Sequence, residues 1–116
     1  MSATALKDRL RADLKSAMQA RSAAEIRLLR TLIAAIDNAE AVTGEAVPDK
    51  YVARAFGDPS GEVPRRVLDD EALGRLLANE VDARLAAADD FERLGQAAEA
   101  DRLREEASLV ARYRSG

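Results

Sequence analysis

Three pairs of adjacent carboxylates, Asp69–Asp70, Asp89–Asp90 and Glu105–Glu106, could in principle hold a cation or share a proton. Neighbours on a helix point about 100° apart, so none of these pairs converges on one ion or one reacting atom. Ser60 offers a hydroxyl, but it lies in the turn signal Asp58-Pro59-Ser60-Gly61, and no histidine exists to act as its base. The lack of both His and Cys removes the commonest transition-metal ligands, thiolate chemistry and any disulfide framework. A helical di-metal site built from Glu-x-x-His elements cannot be made from these residues. No glycine-rich loop joins a strand to a helix to cradle phosphate. The expectation is a chain with no catalytic residue, no cofactor and no metal.

Binding chemistry is better represented. Lys7, Arg11 and Lys15 recur every fourth residue and form a basic stripe, and Arg21, Arg27 and Arg30 follow in the same basic first third. Residues 1–36 hold seven basic against three acidic side chains, a local charge of +4, while the remainder carries −7. A basic first third suits a polyanion, and the acidic remainder opposes broad nonspecific binding. Solvation of outer helix faces accounts for the same charges and is the weightier reading on composition alone. A second grouping is polar: Glu80 interrupts an apolar face, Arg84 follows one turn later, and Asn38 lies one turn beyond the Leu–Ile core. These three could form a boundary network that sets helix register, or a contact for a ligand or partner; the structural role is the commoner one.

The elements that must position these residues are helical. Charged residues make up 34% of the 116-residue chain and aromatics only 3%, a profile of amphipathic helices rather than strands. One domain is expected. The longest apolar run, Leu32 to Ile36, is far too short to span a bilayer, and the N-terminus lacks a signal-peptide core. A cytoplasmic location without membrane contact follows as the expectation.

A first helix starts between Ser2 and Thr4, with Leu6, Leu10, Leu14 and Met18, and Ala17 beside them, as its apolar stripe. Ser22-Ala-Ala-Glu25 has capping-box spacing and argues for a break at Arg21–Ser22, against one long continuous helix. The second helix, Ala23 to about Val42, carries Leu28, Leu29, Leu32, Ile33, Ile36 and Ala39 on one face. Arg27, Arg30, Asp37 and Glu40 are expected on the other. Residues 44–67 collect all three prolines and read as an insertion, with Tyr51, Val52, Ala55 and Phe56 as a small anchoring face and a mobile Gly57–Pro64 part. Asp69 caps a third helix whose apolar face is Leu73, Leu76, Leu77, Val81, Ala88 and Phe91, ended by Gly95. A fourth runs to about Tyr113 with Ala98, Leu103, Ala107, Val110 and Leu109 inward. The fold class is therefore all-α: two antiparallel helical hairpins, about 3–43 and 68–113, joined by the Pro/Gly-containing insertion.

The ordered series Leu6-Lys7-x-Arg9-Leu10, Asp13-Leu14-Lys15-x-Ala17-Met18-x-Ala20-Arg21, Leu29-Arg30-x-Leu32 and Ala34-Ala35-Ile36-x-Asn38-x-Glu40 resembles the YqeY family. Leu68-x-Asp70-Glu71, Glu80 with Arg84, Phe91-x-x-x-Gly95, Glu105-Glu106-Ala107 and Tyr113 continue the likeness. The resemblance implies an all-helical domain related to the tail of the GatB subunit of the tRNA-dependent amidotransferase, a non-catalytic appendage that contacts tRNA. It implies tRNA or amidotransferase subunits as partners, and the basic first hairpin then offers Lys7, Arg11, Lys15, Arg21, Arg27 and Arg30 as candidate contact residues. The alternative is a protein-interaction or homodimerisation module. Three departures bear on this. The chain stops where the family continues into a second small helical domain, so it resembles a short form lacking that tail. Asn79, Asp82 and Ala83 stand where the family commonly has lysines. The insertion is long for the family.

Overall fold

A computed structural model describes residues 1–44 and 67–115. Expectations about 45–66, including the anchoring face and the mobile part, lie outside the described residues. Among those described the protein is all-α: α1 Ala3–Gln19, α2 Ala23–Gly44, α3 Asp70–Arg93 and α4 Ala97–Ser115. The chain divides into two compact units, Ala3–Leu68 and Asp69–Gly116 with Met1–Ser2, and each holds one helix pair.

In the first unit α1 packs on α2. The buried residues of α1 are Ala3, Leu6, Leu10 and Ala17, a spacing of three and four that follows one side of the helix. Met18, expected in this row, is exposed instead. Each step of four residues overshoots a full turn by about 40°, so a strict every-fourth row rotates out of the interface by its fourth member. On α2 the buried set is Leu28, Leu29, Leu32 and Ile36, continued by Glu40.

In the second unit α3 and α4 pack along their length. Asp69 caps α3 by accepting from the Ala72 amide at 2.7 Å, and Asp70 and Glu71 in its first turn complement the dipole. Leu73, Leu77, Val81 and Ala88 are buried on α3, with Ala100, Ala107, Val110 and Tyr113 on α4. Ala98 is exposed rather than inward, because it sits about 200° round the helix from Ala100.

The two hairpins turn in the same way. At the end of α1, Ser22 N–H donates to the Ala17 carbonyl and Arg21 N–H to that of Met18, at 3.0 and 3.1 Å. At the end of α3, Gln96 N–H donates to Phe91 and Gly95 N–H to Glu92, at 2.8 and 3.0 Å. Both are Schellman motifs, in which a residue in the left-handed region closes the helix and satisfies its last carbonyls. That residue is Gly95, at φ 77°, in one hairpin and Arg21, at φ 57°, in the other.

Candidate functional site

Charge is handled differently by the two units. In the second, arginine is matched to carboxylate along the body of the hairpin. Arg84 lies between the helices, donating to Glu80 at 2.6 Å on its own helix and to Glu106 at 3.3 Å on α4. Its side chain is only 12% exposed. Arg102 extends the chain by bonding Glu106 at 2.6 Å and Glu99 at 2.8 Å, and its guanidinium holds the Glu99 carboxyl below the usual carboxylate range. Arg104 reaches across to Asp89 and Glu92, Arg93 bonds Asp90, and Arg75 bonds Glu71. Arg112 and Arg114 occupy the last turn of α4, where they complement its dipole.

The adjacent carboxylates separate as their helical geometry requires. Asp69 caps a helix while Asp70 is exposed. Asp89 and Asp90 bond different arginines. Glu106 joins the Arg84 network while Glu105 is exposed. Among the described residues no group of His, Cys, Asp and Glu is arranged to hold a metal ion. No helix there is long and apolar enough to cross a membrane.

The anticipated polar grouping is thus partly assembled. Glu80 and Arg84 pair, but Asn38 lies exposed on α2, in the other unit. The third member that the structure supplies is Glu106, which sequence reasoning missed. A usable signal existed, since Arg84 and Glu106 are equidistant from Gly95 and must face each other in an antiparallel hairpin turning there.

In the first unit the basic stripe splits. Lys7 belongs to the interior of the hairpin: its ammonium donates to Glu40 Oε1 at 2.7 Å and Asp37 Oδ1 at 3.4 Å. The hydrogen bond to Glu40 holds the Lys7 pKa above its ordinary value, against the opposing effect of burial. Glu40 is 2% exposed, contrary to its expected place on the polar face. Its second oxygen accepts from the Leu68 amide at 3.4 Å, so one carboxylate ties α1, α2 and the residue that precedes the α3 cap. Four residues beyond Ile36 is the next place on the buried face, the signal that marked Glu40. Arg11, about 40° further round α1 than Lys7, is already exposed and lies 3.7 Å from Asp8.

Lys15, Arg21, Arg27 and Arg30 are exposed, and none has a carboxylate in ion-pair contact among the described residues. Lys15 and Arg27 stand about 6 Å along the axis from their helix ends at the turn, Arg30 about 10 Å, and Arg21 in the turn itself. The acidic residue of the first α2 turn is Glu25, also exposed. The turn end of this hairpin is therefore cationic, while its other end is neutralised internally by Lys7, Asp37 and Glu40. Among the described residues, fold and surface define a helical-hairpin protein whose first hairpin has an open cationic turn end. Against known proteins, no family model and no curated sequence matches the chain.

Proposed function

We propose that this protein is a non-catalytic helical binding module of the YqeY kind, making an accessory contact to tRNA or the tRNA-dependent amidotransferase machinery. The contact surface is the turn end of the first hairpin. The observation that carries this reading is the contrast in pairing. Five arginines of the second hairpin are matched to carboxylates and its other two, Arg112 and Arg114, lie at the C-terminus of α4, whereas Lys15, Arg21, Arg27 and Arg30 stand open to solvent around one turn. Unmatched cations at one place suit a ligand that brings its own negative charge. The two aromatic residues among those described, Phe91 and Tyr113, are half-buried and buried, so contact is to phosphates rather than through base stacking.

Fluorescence anisotropy with labelled tRNA tests this. Four phosphate contacts give log K against log salt a slope of about −3 to −4. The combined Lys15→Glu, Arg27→Glu and Arg30→Glu variant should lose binding while keeping its helix content. Absence of binding by the unmutated protein at low salt, or undiminished binding by the triple variant, removes the RNA reading. A protein-interaction or homodimerisation module then takes its place.

A further inference from the structure

We infer that Arg21 is the anchor of this cationic end, a phosphate-binding residue held at the hairpin tip by backbone geometry that the turn itself would assign to glycine. The inference rests on the reading of the first hairpin as a polyanion-binding surface and adds the one contact residue whose place is set by the turn itself.

The two hairpins supply the comparison. Their Schellman turns carry the same pair of backbone hydrogen bonds, and the residue in the left-handed region is Gly95 in one and Arg21 in the other. An L side chain in that region brings Cβ against the neighbouring carbonyl, which is why glycine, and less often asparagine, closes such helices. A Cβ built on Gly95 would meet nothing within 4 Å, so the penalty in a turn of this type is one of backbone conformation rather than crowding by neighbours. At Arg21 that penalty is carried with no visible compensation from packing: the residue is exposed and has no carboxylate partner among the described residues.

Local backbone strain that persists without a structural return gathers at binding sites. The place fits that use. Arg21 follows the last turn of α1, so it sits at the extremity of the hairpin, with Lys15, Arg27 and Arg30 within two to three helical turns behind it. A guanidinium there presents its planar fork to a phosphate, which it can hold through two parallel hydrogen bonds. The ligand class is the phosphodiester backbone of a folded RNA. One structural account competes. Arg21 lies just past the C-terminus of α1, whose last turn has no basic residue of its own, and a cation there eases the helix dipole.

Arg21→Gly separates the two accounts, because stability and binding should move in opposite directions. The expected result is a melting temperature higher by a few degrees. Binding of labelled tRNA at about 0.1 M salt should weaken about five- to eightfold, with a salt slope shallower by about 1, the effect of one lost phosphate contact. Arg21→Asn, which tolerates the left-handed region without charge, should show the same loss and guards against a slackened turn. Unchanged tRNA affinity in both variants, or a lowered melting temperature in Arg21→Gly, overturns the inference. If the Lys15, Arg27 and Arg30 reversal abolishes binding while both Arg21 variants retain it, only this inference fails. If that reversal leaves binding intact, the proposed function fails with it.

Discussion

Replacing Lys7 by Met should destabilise the first hairpin far more than replacing any other cation in the basic stripe. The Lys7 ammonium is 2.7 Å from a carboxylate whose residue is 2% exposed. At an effective dielectric of about 20 that attraction is roughly 6 kcal/mol before desolvation of either group is subtracted. Removing one partner of a buried pair leaves the other charged and unmatched, a loss of about 3–5 kcal/mol. Lys7 is 16% exposed, and water reaching the vacated place softens this, so about 2–4 kcal/mol is expected for Lys7→Met. Glu40→Leu should cost less, about 2 kcal/mol, because Lys7 keeps Asp37 at 3.4 Å. The double variant should recover much of the loss, giving a coupling of at least about 2 kcal/mol. Urea denaturation followed by far-UV circular dichroism, with m-values held in common, measures all four proteins. Lys15→Met serves as the control and should fall within about 0.5 kcal/mol of the parent. Losses for Lys7→Met below that figure, or additive single variants, would refute the placement of Lys7 inside the hairpin.

The remaining predictions concern titration, core, turn and cap. Lys7 titrates above its ordinary value of 10.5 in the fold, so the stability of its pair is fully present below about that pH and is lost as pH rises through the folded value. An alkaline series of melts should show this decline in the parent and not in Lys7→Met. Leu32 is fully buried, and Leu32→Ala should cost about 2–5 kcal/mol; a urea-melt loss under about 1 kcal/mol would place α2 at the periphery. Gly95→Ala should destabilise by about 1 kcal/mol through its φ of 77° alone, and a neutral result would contradict the left-handed turn. Asp69→Ala removes the side-chain bond to the Ala72 amide and should cost about 1 kcal/mol. Asp69→Ser should restore most of it.

What the sequence determined by itself was local. The Asp69 cap, the Gly95 stop and the break at Arg21–Ser22 are written in residues a few positions apart, because capping and turn geometry are satisfied within one helical turn. The apolar rows of α2 and α3 were legible for a related reason, since large aliphatic residues at three- and four-residue spacing leave little choice of buried face. Tertiary structure decided which members of one stripe are inside. Lys7 and Lys15 belong to the same every-fourth series, yet one is bonded to Glu40 and the other is exposed. The helix turns about 40° past each such step, and only the position of the neighbouring helix says where along that drift the interface ends. Glu40 and Glu106 were hidden likewise: a carboxylate reads as solvent-facing until the antiparallel partner places a lysine or arginine opposite it. The cationic turn end emerged by the same subtraction. It consists of Lys15, Arg21, Arg27 and Arg30, the positive charges of the first hairpin that found no carboxylate among the described residues.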